Sequence, residues 1–266
     1  MPKNIFKALT IAGSDSGGCA GIQADLKTFA AFGVHGMSVI TAVTAQNTLG
    51  VTAVHRIPPS IVKAQAEAVL ADIGAHAVKT GMITGAPMVM VIAEVIEKFR
   101  IRRFVLDPVM IAASGARLML PGTRGPLCRR LMPLALVVTP NRHEAEILTH
   151  RTIRNMHDMH EAARMIHDFG SKYVYLKGGH LPGPAVDLIF DGRVFGEFYA
   201  ERVRTRNLHG SGCTLASAIC AGLAQGMSVE QAAGKAKEYI TQALRHSFSI
   251  GKGPGPLGHF FASWGR

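Results

Sequence analysis

Three short apolar runs, Phe104 to Leu106, Leu136 to Val138 and Tyr173 to Leu176, show almost no alternation between apolar and polar residues. A strand with one wet face alternates. A strand covered on both faces does not. Two more runs of this kind, Ala8 to Ala12 stopping at Gly13 and Ala77 to Lys79 ending at Gly81, precede them, with a further strand expected at Met37 to Ala45. Between them lie helical periods. Ala20 to Phe32 carries Ile22, Leu26 and Phe29 on one side, and Ile61, Val62, Ala66, Val69 and Ile73 repeat at helical spacing before Gly74. Met88 to Phe99 is a third helix. Buried strands separated by helices predict an α/β chain with a mostly parallel sheet between two helical layers. No repeat, linker or composition break divides residues 1–266, which read as a single domain.

Hydrophobic residues make up 48% of the chain, enough for a large core, and the net charge of +11 favours anionic ligands. The densest basic groups, Arg100, Arg102 and Arg103, and the alternating Arg202, Arg204 and Arg206, are not interleaved with aromatics, so they read as solvated surface rather than a nucleic-acid platform. Cys19, Cys128, Cys213 and Cys220 contain no C-x-x-C pair, which argues against a zinc or redox motif and fits a reducing cytoplasm. The first seven residues lack a signal-peptide core, and the apolar stretch Met88 to Ile96 is too short to span a bilayer. No membrane partner is expected.

In a parallel sheet, ligands sit beyond the carboxyl ends of the strands. After the first run comes a nine-residue segment, Gly13 to Gly21, with four glycines. It favours a ligand loop over an ordinary turn, but has neither the P-loop nor the dinucleotide spacing. After Leu106 comes Asp107-Pro108, where a carboxylate can hold Mg²⁺. After Val138, Asn141 and Glu144 stand three apart at a helix start. Taken alone, this pair reads as a helix cap with an acidic first turn. After Leu176, Lys177 stands where it can meet a phosphate or merely close a surface turn. The sharpest feature is Gly210-Ser211-Gly212-Cys213 opening the apolar helix Leu215 to Leu223. Small residues there would present free amides to an anion, and the helix dipole would lower the Cys213 thiol pKa. Cys220 reads as core. Gly253 to Gly258 matches G-x-G-x-x-G literally, but two prolines and the lack of a following helix rule out a dinucleotide site. His157, His160 and His167 read as solvent-facing, and His180 and His209 as solvated loop residues.

Taken together, Ala12-Gly13-Ser14-Asp15, Ala20 to Thr28, Thr44-Ala45-Gln46-Asn47, Asp107-Pro108-Val109-Met110, Lys177-Gly178-Gly179-His180 and His209 to Thr214 resemble the hydroxymethylpyrimidine kinase / phosphomethylpyrimidine kinase family, in order from about Leu9 to Phe260. The resemblance implies a ribokinase-like three-layer α/β/α fold. It implies ATP-dependent phosphorylation of 4-amino-5-hydroxymethyl-2-methylpyrimidine and then of its monophosphate, in thiamin biosynthesis. Gln46 would hydrogen-bond the pyrimidine, with Gly13, Met82 and Val109 lining its pocket. Asp107 and Glu144 would organise Mg²⁺, and Lys177 would bind ATP phosphate. Gly210, Ser211 and Gly212 would form the anion hole, with Cys213 as the catalytic group. A homodimer is also implied. Three positions depart from the family pattern: Cys19 stands for Gly, Ala113 for Lys, and Leu208 for Thr. The missing Lys predicts a second step weaker than the first, and Cys19 would narrow the pocket. Two other readings stay open: a pyridoxal or pyridoxine kinase of the same fold, and a non-catalytic basic ligand- or nucleic-acid-binding module.

Overall fold

The computed structural model describes residues 5–111, 115, 118–179, 181 and 183–263. They form one nine-stranded sheet. Its strands are β1 (Lys7–Asp15), β2 (His35–Gln46), β3 (Val51–Arg56), β4 (Ala77–Thr80), β5 (Phe104–Leu106), β6 (Val137–Val138), β7 (Tyr173–Leu176), β8 (Ala185–Phe190) and β9 (Phe195–Ala200). The order across the sheet is β3-β2-β1-β4-β5-β6-β7-β8-β9. The six strands from β2 to β7 are mutually parallel. The edges β3, β8 and β9 run antiparallel.

The helices are α1 (Gly21–Ala31), α2 (Pro59–Asp72), α3 (Ala86–Lys98), the short α4 (Arg124–Pro126), α5 (Arg142–Thr149), α6 (Met156–His167), α7 (Ser211–Ala224) and α8 (Val229–Arg245). Adjacent residues of one strand serve opposite cores. Leu9 and Ile11 pack with Val62, Ile92, Leu148 and Ile166 on one face. Ala8, Val105, Val137 and Tyr175 pack with Phe29, Leu215, Ile219 and Ile240 on the other. Both faces are covered, which is why the runs do not alternate. Among the described residues, no helix is long and apolar enough to cross a membrane.

The chain winds outward in both directions from β1, whose neighbours are β2 and β4. The loop that follows β1 therefore sits where the strand order reverses, the usual ligand crevice of such sheets. The expected stop at Gly13 is corrected: β1 runs on to Asp15, with its register against β2 shifting between Ala12 and Ser14. Beyond it Ser14 and Asp15 still pair with Val43 and Thr44 of β2 but extend past the last β4 pair, Ile11 with Thr80.

A buried polar cluster ties this end together. Lys79 on β4 and Asp25 on α1 form a fully buried ion pair at 2.9 Å. The remaining Asp25 valences accept from Thr10 Oγ1 and Ser217 Oγ, both at 2.6 Å. Burial works against the Lys79 charge, but Asp25, Cys213 and Asp107 outweigh it and hold its pKa above the ordinary lysine value. Asp25→Ala would strand the ammonium in the core. It is expected to cost about 3–5 kcal/mol of folding free energy, measured by urea unfolding. A loss under about 1 kcal/mol would show the pair to be energetically idle.

Candidate active site

The α7 loop owes its shape to Gly210. This residue caps α7 at φ 85°, ψ 5°, a left-handed conformation natural to glycine. A Cβ there would lie 1.9 Å from the Cys19 carbonyl oxygen, so the helix start is pressed directly onto the β1 loop. The C-terminal glycines hold it from behind. Gly255 N–H donates to Asn207 Oδ1 at 2.8 Å, and His209 N–H donates to the Gly255 carbonyl at 3.3 Å. Gly253 to Gly258 thus serves as packing for the α7 loop.

The amides of this loop differ from one another. Ser211 N–H already donates to the Leu208 carbonyl at 3.1 Å, so the expectation of a free amide there is corrected. Gly212 and Cys213 are the first-turn residues whose N–H groups meet no carbonyl among the described residues. The Cys213 sulfur is half-buried, and the Gly21 N–H points at it. Burial pushes its thiol up to about 12, and nearby Lys79 only partly offsets this. Burial therefore overrides the helix dipole that was expected to favour thiolate, and the resting group is a thiol.

Beside Gly212, the ends of β5, β6 and β7 bring three charged groups together. Lys177 Nζ lies 3.0 Å from Asp107 Oδ1 and 3.9 Å from Glu144 Oε2. Thr139 Oγ1 also donates to Asp107 Oδ1 at 2.9 Å. A Cβ on Gly212 would stand 3.4 Å from the same Lys177 nitrogen, which shows how closely the ammonium borders the α7 loop. Burial opposes the Lys177 charge, yet Asp107 and Glu144 raise its pKa overall. Glu144 completes a capping box with Asn141, so the helix-cap reading holds. The same carboxylate is buried against a second acid, and can do more than cap. An all-oxygen pair of adjacent acids suits a hard divalent cation such as Mg²⁺, whose charge would relieve their repulsion.

Burial, with Asp107 adding to it against the pull of Lys177, lifts the Glu144 pKa from 4.5 to about 7. The folded chain then holds a proton that the unfolded chain has released, so metal-free stability falls as pH rises between those two values. Glu144→Gln keeps the cap acceptor and cannot ionise. It is expected to remove this fall, gaining stability relative to the parent between about pH 5 and about pH 8 in urea titrations.

The substrate-pocket candidates lie at the β1 side. Gly13 packs on Met82, with a Cβ position 3.0 Å from its Sδ. Met82 is anchored by Thr41 Oγ1, which donates to its carbonyl at 2.8 Å. Gln46 Nε2 meets His209 Nε2 at 2.9 Å. Val109 is half-buried, two residues beyond Asp107. His209 is itself only 8% exposed, so its reading as a solvated loop residue is corrected. The α7 loop turns its ring into the crevice rather than outward. His160 and His167 are likewise not fully solvent-facing, because each packs edge-on to a phenylalanine, Phe195 and Phe190. Ala113 and His180 lie outside the described residues. Leu208 is 48% exposed.

Next to Lys177, a cavity of about 440 Å³ opens between β8, β9, α7 and α8. Leu215, Ile240 and Leu244 give it apolar walls, while Lys177, Ser211 and Gly212 stand at its inner end. Arg202 and Arg204 line it too, correcting their reading as plain surface. Arg202 donates to the carbonyls of Gly179, Leu181 and Gly183, fastening the β7–β8 connection. No spacing rule links an arginine after β9 to carbonyls some twenty residues earlier, so this clamp left no signal in the sequence.

Comparison with known proteins agrees with this geometry. A family model described as Phosphomethylpyrimidine kinase matches residues 15–258. The Hydroxymethylpyrimidine/phosphomethylpyrimidine kinase of Synechococcus elongatus is 50% identical over 256 residues, covering 96% of this chain and 97% of that protein. The Thiamine biosynthesis bifunctional protein ThiED of Geobacter sulfurreducens is also 50% identical over 256 residues, but the chain spans only 52% of its length. The crystal structure of an ADP complex of Bacillus subtilis pyridoxal kinase superposes with a TM-score of 0.90 at 39% identity, covering 96% of this chain and 98% of that one. The sheet order, the loops at its carboxyl edge and these matches together place the chain in the phosphomethylpyrimidine kinase family.

Proposed function

We propose that this chain uses ATP to phosphorylate 4-amino-5-hydroxymethyl-2-methylpyrimidine, and then phosphorylates the monophosphate to the diphosphate, in thiamin biosynthesis. The observation that carries this reading is the cavity whose inner end is lined by Lys177, Ser211 and Gly212, beside the Asp107–Glu144 pair. At the β1 side of the same loop, Gln46 meets His209 and Gly13 packs on Met82. Phosphoryl transfer needs little covalent chemistry from a protein, but it does need alignment and charge neutralisation.

In this reading the apolar walls at Leu215, Ile240 and Leu244 hold the nucleotide base. Lys177 holds a phosphate, and the Gly212 and Cys213 amides meet the transferred group. Gln46 orients the pyrimidine, with Gly13, Met82 and Val109 around the ring. Cys213 holds the attacking hydroxyl, and takes its proton only in the thiolate form, its own proton having gone to solvent. Asp107 and Glu144 would hold Mg²⁺, which when bound supplies positive charge to the ATP phosphates.

An ADP-release assay with the pyrimidine, its monophosphate and pyridoxine tests the reading. Turnover with both pyrimidines is expected, the second slower because position 113 carries Ala. Turnover confined to pyridoxine would replace this reading with a pyridoxal kinase, the reading that the likeness to the Bacillus subtilis enzyme favours. No ADP release with any of the three would reject both.

A further inference from the structure

Three donors of different chemistry meet between the β1 loop and the α7 loop, apart from the phosphate-handling groups. A carboxylate oxygen of Asp15, the sulfur of Cys19 and a ring nitrogen of His209 lie within 4.8 Å of one another. All three residues are buried, with Cys19 at 1% exposure. The backbone fixes two of them. Asp15 Oδ1 accepts the Gly17 N–H at 2.8 Å, and Oδ2 accepts those of Cys19 and Ala20 at 3.0 and 2.8 Å. A carboxylate has about four acceptor positions, so the three bonds fix its orientation and leave one position open, on Oδ1. His209 stands at the start of α7, its Nε2 4.0 Å from Asp15 Oδ2. The Cys19 sulfur makes only a long 3.6 Å contact to the Gly17 carbonyl.

The direction of the His209 lone pair follows from its neighbour. Gln46 presents its amide nitrogen, which can only donate, to His209 Nε2 at 2.9 Å. Nε2 therefore accepts, and its one lone pair points at the Gln46 amide, so a cation reaches it only by displacing that amide.

We propose that Asp15, Cys19 and His209 form a binding site for a thiophilic divalent cation of the zinc class, distinct from the oxygen-lined Asp107–Glu144 pair. A sulfur, an imidazole nitrogen and a carboxylate oxygen are the three donor types zinc takes, and the mixture is too soft for Mg²⁺. With metal–ligand distances of about 2.0–2.3 Å, tetrahedral ligands stand about 3.5 Å apart. The cluster needs only a small contraction to reach this. Binding forms bonds from the metal to S, N and O, and the Cys19 thiol proton goes to solvent. The metal also takes the lone pair that Gln46 now donates to. Gln46 must then turn away, so metal and pyrimidine exclude each other. This exclusion, unlike the site itself, rests on the pyrimidine-binding part proposed for Gln46.

The test is titration of the full chain with Co²⁺ followed by Zn²⁺, read by absorption. One equivalent of Co²⁺ is expected to give a thiolate-to-cobalt band that Zn²⁺ abolishes and Mg²⁺ leaves untouched. Cys19→Gly and Cys19→Ser, checked for folding by circular dichroism, are expected to lose the band, and Cys213→Ser to keep it. Absence of the band in the parent, its survival in both Cys19 variants, or its loss in Cys213→Ser would overturn the proposal. Saturating hydroxymethylpyrimidine is expected to weaken Co²⁺ binding at least tenfold. Unchanged Co²⁺ affinity, with the pyrimidine shown by calorimetry to be bound, would overturn the exclusion. A chain that gives the band but no pyrimidine-dependent ADP release would sink the kinase reading alone.

Discussion

Replacing Cys213 with alanine is expected to lower kcat by about 10²–10⁴-fold while calorimetry still detects pyrimidine binding. That range is the usual contribution of a positioned acid–base group, about 2.7–5.4 kcal/mol of barrier. Cys213 lies in the first turn of α7, with the Gly21 N–H at its sulfur and the buried Lys79 ammonium nearby. Its thiol, pushed up to about 12, keeps its proton at neutral pH. In the proposed mechanism the sulfur therefore works mainly through placement, and it can accept the hydroxyl proton only as the thiolate, after its own proton has passed to solvent. Serine offers a shorter reach and a less acidic hydrogen, so Cys213→Ser is expected to recover only part of the loss. A kcat unchanged in Cys213→Ala would remove the residue from the mechanism.

The second large effect is expected from Gly210→Ala. A left-handed conformation costs a non-glycine residue about 1–2 kcal/mol. Here the new methyl would also meet the Cys19 carbonyl oxygen at 1.9 Å and its carbon at 2.9 Å. Those are backbone atoms of a loop anchored by three hydrogen bonds to Asp15 and cannot swing aside. The α7 loop must lift instead, carrying the Gly212 and Cys213 amides with it. Loss of one such donor typically costs about 10²–10³ in rate, so this drop in kcat is expected together with a lower Tm. Gly212→Ala is the contrasting variant. Its methyl would stand 3.4 Å from the mobile tip of Lys177, and its backbone is helical. Calorimetric melting and steady-state kinetics on the pair separate loop displacement from local crowding. Equal effects in the two would reject the displacement argument.

The parallel centre of the sheet was legible because burial on both faces removes alternation from Phe104 to Leu106, Val137 to Val138 and Tyr173 to Leu176. The antiparallel edges were not. β3 is largely exposed on both faces and has no buried residue to mark it. β8 is interrupted by Asp187, a buried carboxylate that accepts from Tyr175 Oη, Gly178 N–H and Lys237 Nζ. The strand-end rule located Asp107, Glu144 and Lys177, and the fold brings them within 4 Å of the lysine nitrogen. Pairings across long stretches of chain left no local trace. Lys79 reads as an ordinary charged residue until Asp25, 54 positions earlier, is placed beside it. His209 looks solvated until Gln46, 163 positions away, meets its ring.

The same long reach has a kinetic consequence. The Asp25 carboxylate is completed by Ser217, 192 residues further along the chain. At about 5–20 residues per second, a ribosome needs about 10–40 s to make that stretch. The first βα unit emerges early, but its central polar knot stays open until α7 has been synthesised and released from the exit tunnel. The nascent chain spends that interval with one side of its innermost strand uncovered, the period in which it most needs shielding from other unfinished polypeptides.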